Sequence, residues 1–141
     1  MAQNLLKLEN QDKTYQKTDW FEVLPAELQS DVDRTSQLFI ARFALGVMFQ
    51  VVLANEAGAA GFTPRILVPN AIAGEADITL ISFTALTADG TVLLVLYPSD
   101  LNIGTEQLLG TLPREWKFML DYTTGTPDTD MVDTHVFARY I

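Results

Sequence analysis

Three carboxylates fall close together near the end of the chain, in "PDTDMVD": Asp128, Asp130 and Asp133. A hard cation such as calcium takes several oxygen ligands, so this run is the candidate metal site. It lacks the central glycine and the closing glutamate of a helix–loop–helix calcium loop, and aspartates are also ordinary turn residues. His135, the only histidine, follows shortly after. A histidine serves as a general base only beside a nucleophile and an orienting group. No G-x-S-x-G elbow supplies that nucleophile. Neither G-x-x-x-x-G-K-[ST] nor G-x-G-x-x-G occurs, and "AGAAGF" has glycines but neither the lysine nor a helix start after it. The sequence calls for no catalytic residue and no cofactor, and the expectation is a protein that is not an enzyme.

Composition narrows the partners. The chain has 141 residues and a net charge of −9, with 48% apolar residues. That is one ordinary globular domain with enough apolar matter for a core. The charge disfavours a nucleic-acid groove, which needs Lys and Arg to displace counterions, and an anionic membrane surface. "LFIARFALGVMFQVVLA", Leu38 to Ala54, is short for a membrane span and carries Arg42 and Gln50, so it reads as core. The opening "MAQNLLKLENQDKTYQ" lacks the layout of a secretory signal. There are no cysteines, so disulfides and thiolate metal sites are excluded, which fits a reducing compartment.

The elements that would position contact residues follow from periodicity. Residues 1–18 are polar apart from a few apolar positions and read either as a frayed terminus or as an N-terminal arm that orders against a partner; residues 19–141 read as the folded domain. "WFEVL" fits a first strand, whereas Pro25 and Glu27 in "PAELQSDV" fit a first helical turn. From Phe39 to Leu53 every second residue is apolar, which favours a strand bent or bulged at Gly46 over a helix. "TPRILVPN", bracketed by Pro64 and Pro69, reads as an edge strand or a crossing between sheets. "ADITLISFTALTADGTVLLVLYP" reads as a hairpin turning at Asp89-Gly90, and "TVLLVLY", apolar on both faces, as a central strand. Ser99 or Asp100 caps a short helical turn in "SDLNIGTEQLLG". "REWKFMLDYTT" and "MVDTHVFARYI" alternate cleanly and read as a closing hairpin. The sum is a mainly β protein: a single antiparallel β-sandwich with a short helical turn or two and an extended N-terminal arm.

The stretch "TADGTVLLVLYPSDLNIGTEQLLGTLPREWKFMLDYTTGTPDTDMVDTHVFARYI", Thr87 to Ile141, resembles the closing half of small immunoglobulin-like modules in tailed-phage baseplate and fibre-anchoring proteins. In those modules a "DGTV" strand leads through an "SDL" turn to a "WKFMLDY"-like strand and a final strand. The longer "TGTPDTDMVD" here replaces their short final turn. Capsid-decorating phage proteins are also small, acidic and β-rich. The resemblance implies an immunoglobulin-like sandwich and a mechanical role in a virion assembled in the host cytoplasm, as capsid decoration or cement or as a baseplate or fibre adaptor. Its partners would be other virion proteins or copies of itself, held by multivalent contacts.

Under that reading Leu5, Leu6, Leu8, Tyr15, Trp20 and Phe21 are the expected interface anchors, followed by Phe137 and Ile141. No nucleic acid, membrane or small-molecule substrate is expected. The alternative is a sandwich that binds a glycan or small ligand on Trp20 or Tyr97, beside Asn70 or Asn102.

Overall fold

The computed structural model describes residues 19–29, 33–54, 61–124 and 132–141. They form ten strands and, among the described residues, no helix. The strands are β1 (Phe21–Gln29), β2 (Arg34–Thr35), β3 (Phe39–Ile40), β4 (Val47–Ala54), β5 (Gly61–Val68), β6 (Ile78–Ser82), β7 (Gly90–Tyr97), β8 (Glu106–Leu109), β9 (Glu115–Thr124) and β10 (Val132–Tyr140). Sheet A runs β1-β10-β4-β7-β8 and sheet B runs β2-β9-β5-β6, with β3 also on β9. Every pairing is antiparallel except that of β7 with β8.

The pairs are nested. β1 pairs with β10, β2 and β3 with β9, β4 with β7, and β5 with β6. That is one long hairpin rolled up, and the roll adds the contacts of β10 with β4 and of β9 with β5. The resulting order is that of a double Greek key, or jelly roll. It differs from the expected immunoglobulin-like order, in which one sheet holds strands A, B, E and D and the other C, F and G. The β-sandwich itself is as expected.

The nesting corrects both expected hairpins. β6 lies in sheet B and β7 in sheet A, so Asp89 and Gly90 turn the chain from one sheet to the other. Gly90 takes a φ of 138° there. β9 and β10 part in the same way. Neither expected helical turn forms among the described residues. Pro25 to Gln29 continues β1, where an edge position tolerates proline. The segment after Asp100 leads into β8, laid parallel on β7.

β5 is an interior strand, not an edge. Pro64 is tolerated because the β5–β6 ladder starts one residue later, at Arg65 and Ser82. The Pro64 carbonyl itself accepts from Phe83 N–H at 2.8 Å. The long alternating run from Phe39 is two strands in different sheets, broken over residues 41–46. Gly46 marks the second bend, since a Cβ there would lie 2.2 Å from the Leu96 carbonyl oxygen.

Between the sheets, alternate residues make the core: Val47, Phe49, Val51 and Leu53 from β4, Trp116, Phe118 and Leu120 from β9, Val136, Ala138 and Tyr140 from β10. Its centre is aromatic. The fully buried Trp116 stacks on Phe39 at 4.9 Å between ring centroids and meets Phe49 edge-on at 5.6 Å. Its indole N–H donates to the Tyr140 hydroxyl at 3.2 Å, which gives the buried polar tips a partner each. Register shifts in β1 turn Phe21, Val23 and Leu24 all inward, where strict alternation would have put Leu24 opposite Phe21 and Val23.

Candidate functional site

A jelly roll has two outer faces, and their composition decides which meets water. On sheet B, β9 presents Lys117, Met119 and Asp121 outward, and β5 presents Arg65. Arg65 Nε donates to Asp121 Oδ2 at 2.9 Å and its Nη1 to the Ser82 hydroxyl at 2.6 Å, while Lys117 Nζ meets Asp77 Oδ2 at 2.8 Å. At the margin Asp33 Oδ1 accepts the Tyr122 N–H at 2.9 Å. Burial pushes the Asp33 carboxyl above the usual carboxylate range, the Tyr122 bond pulls it back, and neighbouring Asp121 adds to the rise. The centre of this face is finished with paired charges, while β6 at the edge of the sheet leaves Ile78 and Leu80 exposed.

Sheet A differs. Its register sets three rows across β10, β4 and β7: Arg139–Met48–Val95, Phe137–Gln50–Leu93 and His135–Val52–Thr91. A further row follows at the end where β10 finishes. There Ile141 exchanges two backbone hydrogen bonds with Gly46, and Tyr97 pairs with Leu109. Tyr97 lies over the glycine, its Cδ1 2.8 Å from where a Cβ would stand. Met48, Val52, Leu93, Tyr97, Phe137 and Ile141 are half-buried on this face, and Leu109 is 67% exposed. Val95 is fully buried because Gly104, in the chain that returns to β8, closes over it. The polar members of these rows are Arg139, Gln50, His135 and Thr91. His135 Nε2 meets Glu22 Oε2 at 2.8 Å, and its ring lies 4.1 Å from that of Phe137. The Arg139 Nε is buried and has no hydrogen-bond partner among the described residues.

The expected anchors separate on this map. Trp20 precedes Phe21, whose partner is Ala138, so continued alternation sets it level with Arg139 on the outer side; it is 39% exposed. Trp20, Phe137 and Ile141 therefore share the sheet A face. Phe21 does not: it is core, between Phe39 at 5.4 Å and Tyr140 at 5.0 Å. Leu5, Leu6, Leu8 and Tyr15 lie outside the described residues, as do Asp128 and Asp130. Asp133 points outward from β10 opposite Ala54. Among the described residues no group of three or more His, Cys, Asp or Glu side chains is placed to hold a metal ion. No helix among them is long and apolar enough to cross a membrane.

The residues of the glycan alternative do not converge. Trp20 and Tyr97 stand three strand spacings apart, about 14 Å. The Asn70 side chain closes its own loop, with Oδ1 accepting from Ile72 N–H and Nδ2 donating to the Ala76 carbonyl. The residues that sequence reasoning missed are Met48, Val52 and Leu93, although the two-faced run "TVLLVLY" was a usable signal for the last.

A cleft of about 440 Å³ lies at the seam between β1 and β2, lined by Glu22, Pro25, Glu27, Arg34 and Ser36 among others. Arg34 crosses that seam. Its guanidinium donates to the Thr134 carbonyl at 3.0 Å, to the Thr134 hydroxyl, and to the Pro25 carbonyl at 2.7 Å, and lies 3.4 Å from Glu27. Burial lowers its pKa and Glu27 opposes that shift. With the guanidinium so committed, the cleft is a structural clamp between sheets. The seam on the far side is bridged by Glu106, which accepts from both the N–H and the hydroxyl of Thr84 at 2.7 Å.

Comparison with known proteins found no matching family model, no matching curated protein and no matching solved structure. The functional reading rests on the geometry of the faces.

Proposed function

We propose that this chain is a non-enzymatic structural protein of a phage particle, either capsid decoration or cement or a baseplate or fibre adaptor, and that it docks through the outer face of sheet A. The observation that carries the proposal is the contrast between the centre of sheet B, where charged side chains pair, and the outer face of sheet A, where Met48, Val52, Leu93, Phe137 and Ile141 reach outward. Met48, Val52, Leu93, Phe137 and Ile141 contribute little to the core from the outer side. Covering them gains about 25 cal/mol for each Å² of apolar area removed from water, a gain realised only on association. Jelly-roll domains recur in viral shells, and repeated copies make individually weak contacts effective by raising local concentration.

Incorporation tests this. Particles purified from cells supplied with the tagged wild-type chain contain it, and those supplied with Phe137→Glu do not, while the variant keeps its thermal midpoint in isolation. Wild-type chain absent from particles, or Phe137→Glu incorporated equally, rejects the proposal.

A further inference from the structure

The occupant of the sheet A face can be named from the chain itself. Followed backwards from Phe21, the chain leaves sheet A at its edge strand, beside Trp20 on the outer side and at the end where β10 finishes. Eighteen residues precede Asp19. Extended, they reach roughly 60 Å, against a face about 19 Å wide across its five strands. They carry Leu5, Leu6, Leu8 and Tyr15, the apolar anchors such a face accepts.

Charge points the same way. Lys7, Lys13 and Lys17 are three of the four lysines in the chain. With Glu9 and Asp12 they give residues 1–18 a charge of +1, which leaves −10 on the remainder of a −9 chain. Glu22 and Asp133 stand on the face itself, beside Arg139 and His135. A leucine-bearing segment of net positive charge thus adjoins an acidic body whose sheet A turns apolar side chains outward.

We propose that residues 1–18 of one copy dock on the outer face of sheet A of a neighbouring copy, linking the chains by arm exchange. This rests on the reading of that face as the contact surface and names what fills it. Direction favours exchange over folding back. By the register of Phe21 with Ala138, the exit at the edge strand points off the end of the sandwich where β10 finishes. Area favours it as well. A face about 19 Å by 20 Å offers roughly half of the 800 Å² per partner in a standard interface, so flat face-to-face packing alone falls short and a wrapped arm adds to it.

The cysteine-free sequence makes the test direct. Full-length chains carrying Asn4→Cys are mixed with chains carrying Gln50→Cys, at the centre of the sheet A face, and in parallel with chains carrying Met119→Cys on sheet B. Under mild oxidation the Asn4→Cys and Gln50→Cys pair gives a mixed disulfide dimer at least tenfold faster than the pair with Met119→Cys. Equal rates overturn the inference. So does a Asn4→Cys/Gln50→Cys double variant that closes only within its own chain at micromolar concentration, because that places the arm on its own face. If Phe137→Glu blocks incorporation into particles while the cross-link shows no preference, the face meets a different protein: the exchange fails and the functional reading stands.

Discussion

Sheet B joins Arg65 to Asp121 and Lys117 to nearby Asp77 on its outer side, whereas sheet A turns Met48, Val52, Leu93 and Phe137 outward. Both sheets feed the same core, so the difference has little to do with holding the fold together. Exposed ion pairs contribute about 0–1 kcal/mol each, and an outward apolar side chain gains nothing until something covers it. What the contrast teaches is that the two faces are finished differently: charges pair at the centre of sheet B, and apolar side chains reach outward from sheet A.

The comparison can be broken at several strengths. The most severe is Gly46→Ala. Its Cβ would strike the Leu96 carbonyl and the Tyr97 ring, so β4 and β7 must part and the sheet A face goes with them. The expected loss exceeds about 3 kcal/mol, read as a collapse of the denaturant midpoint; an unchanged midpoint would show that the strands separate without cost. Next is Arg34→Met, which leaves the buried Thr134 hydroxyl and the Pro25 carbonyl without their donor. Urea titration should register a loss of roughly 1.5–3 kcal/mol, and a neutral outcome would mean the β1–β2 seam is not clamped there.

Smaller in stability but decisive for the comparison are Phe137→Glu and Met119→Glu. Each should change stability by under about 1 kcal/mol, yet only the first should abolish association by sedimentation. Equal effects would erase the distinction between the faces. The smallest effect is Asp33→Asn. A carboxyl whose pKa is raised on folding stabilises the fold when protonated, fully so below its unfolded pKa, and loses that contribution as pH rises through the folded value. The amide keeps the bond from Tyr122 N–H and can donate to Asp121. The variant should therefore be slightly more stable than wild type at neutral pH and gain nothing at acid pH; melts across that range check the sign.

Much of the inner architecture was legible because burial alternates locally. Val47 to Leu53, Trp116 to Leu120 and Val136 to Tyr140 lie inward as their spacing required. Pairing was not legible. A turn such as Asp89-Gly90 tells where the chain reverses but not to which sheet it returns, and β10 finds its partners in β1 and β4, 79 to 117 residues upstream by the paired positions. Pro25 suggested a helix because nothing local shows that a strand sits at an edge. The outer face of sheet A was half legible: Trp20, Phe137 and Ile141 were expected to be exposed anchors and lie on it, while Met48 and Val52 looked like the mixed side of a strand until the register set them beside Val95 and His135.

The most direct measurement places a photo-reactive phenylalanine analogue at position 137 in one sample and at 119 in another, in the intact chain within its native particles or cells. The account predicts discrete protein cross-links from position 137, to virion protein or to another copy, and solvent quenching from 119. Cross-links of equal yield from both positions, or from 119 alone, would contradict it.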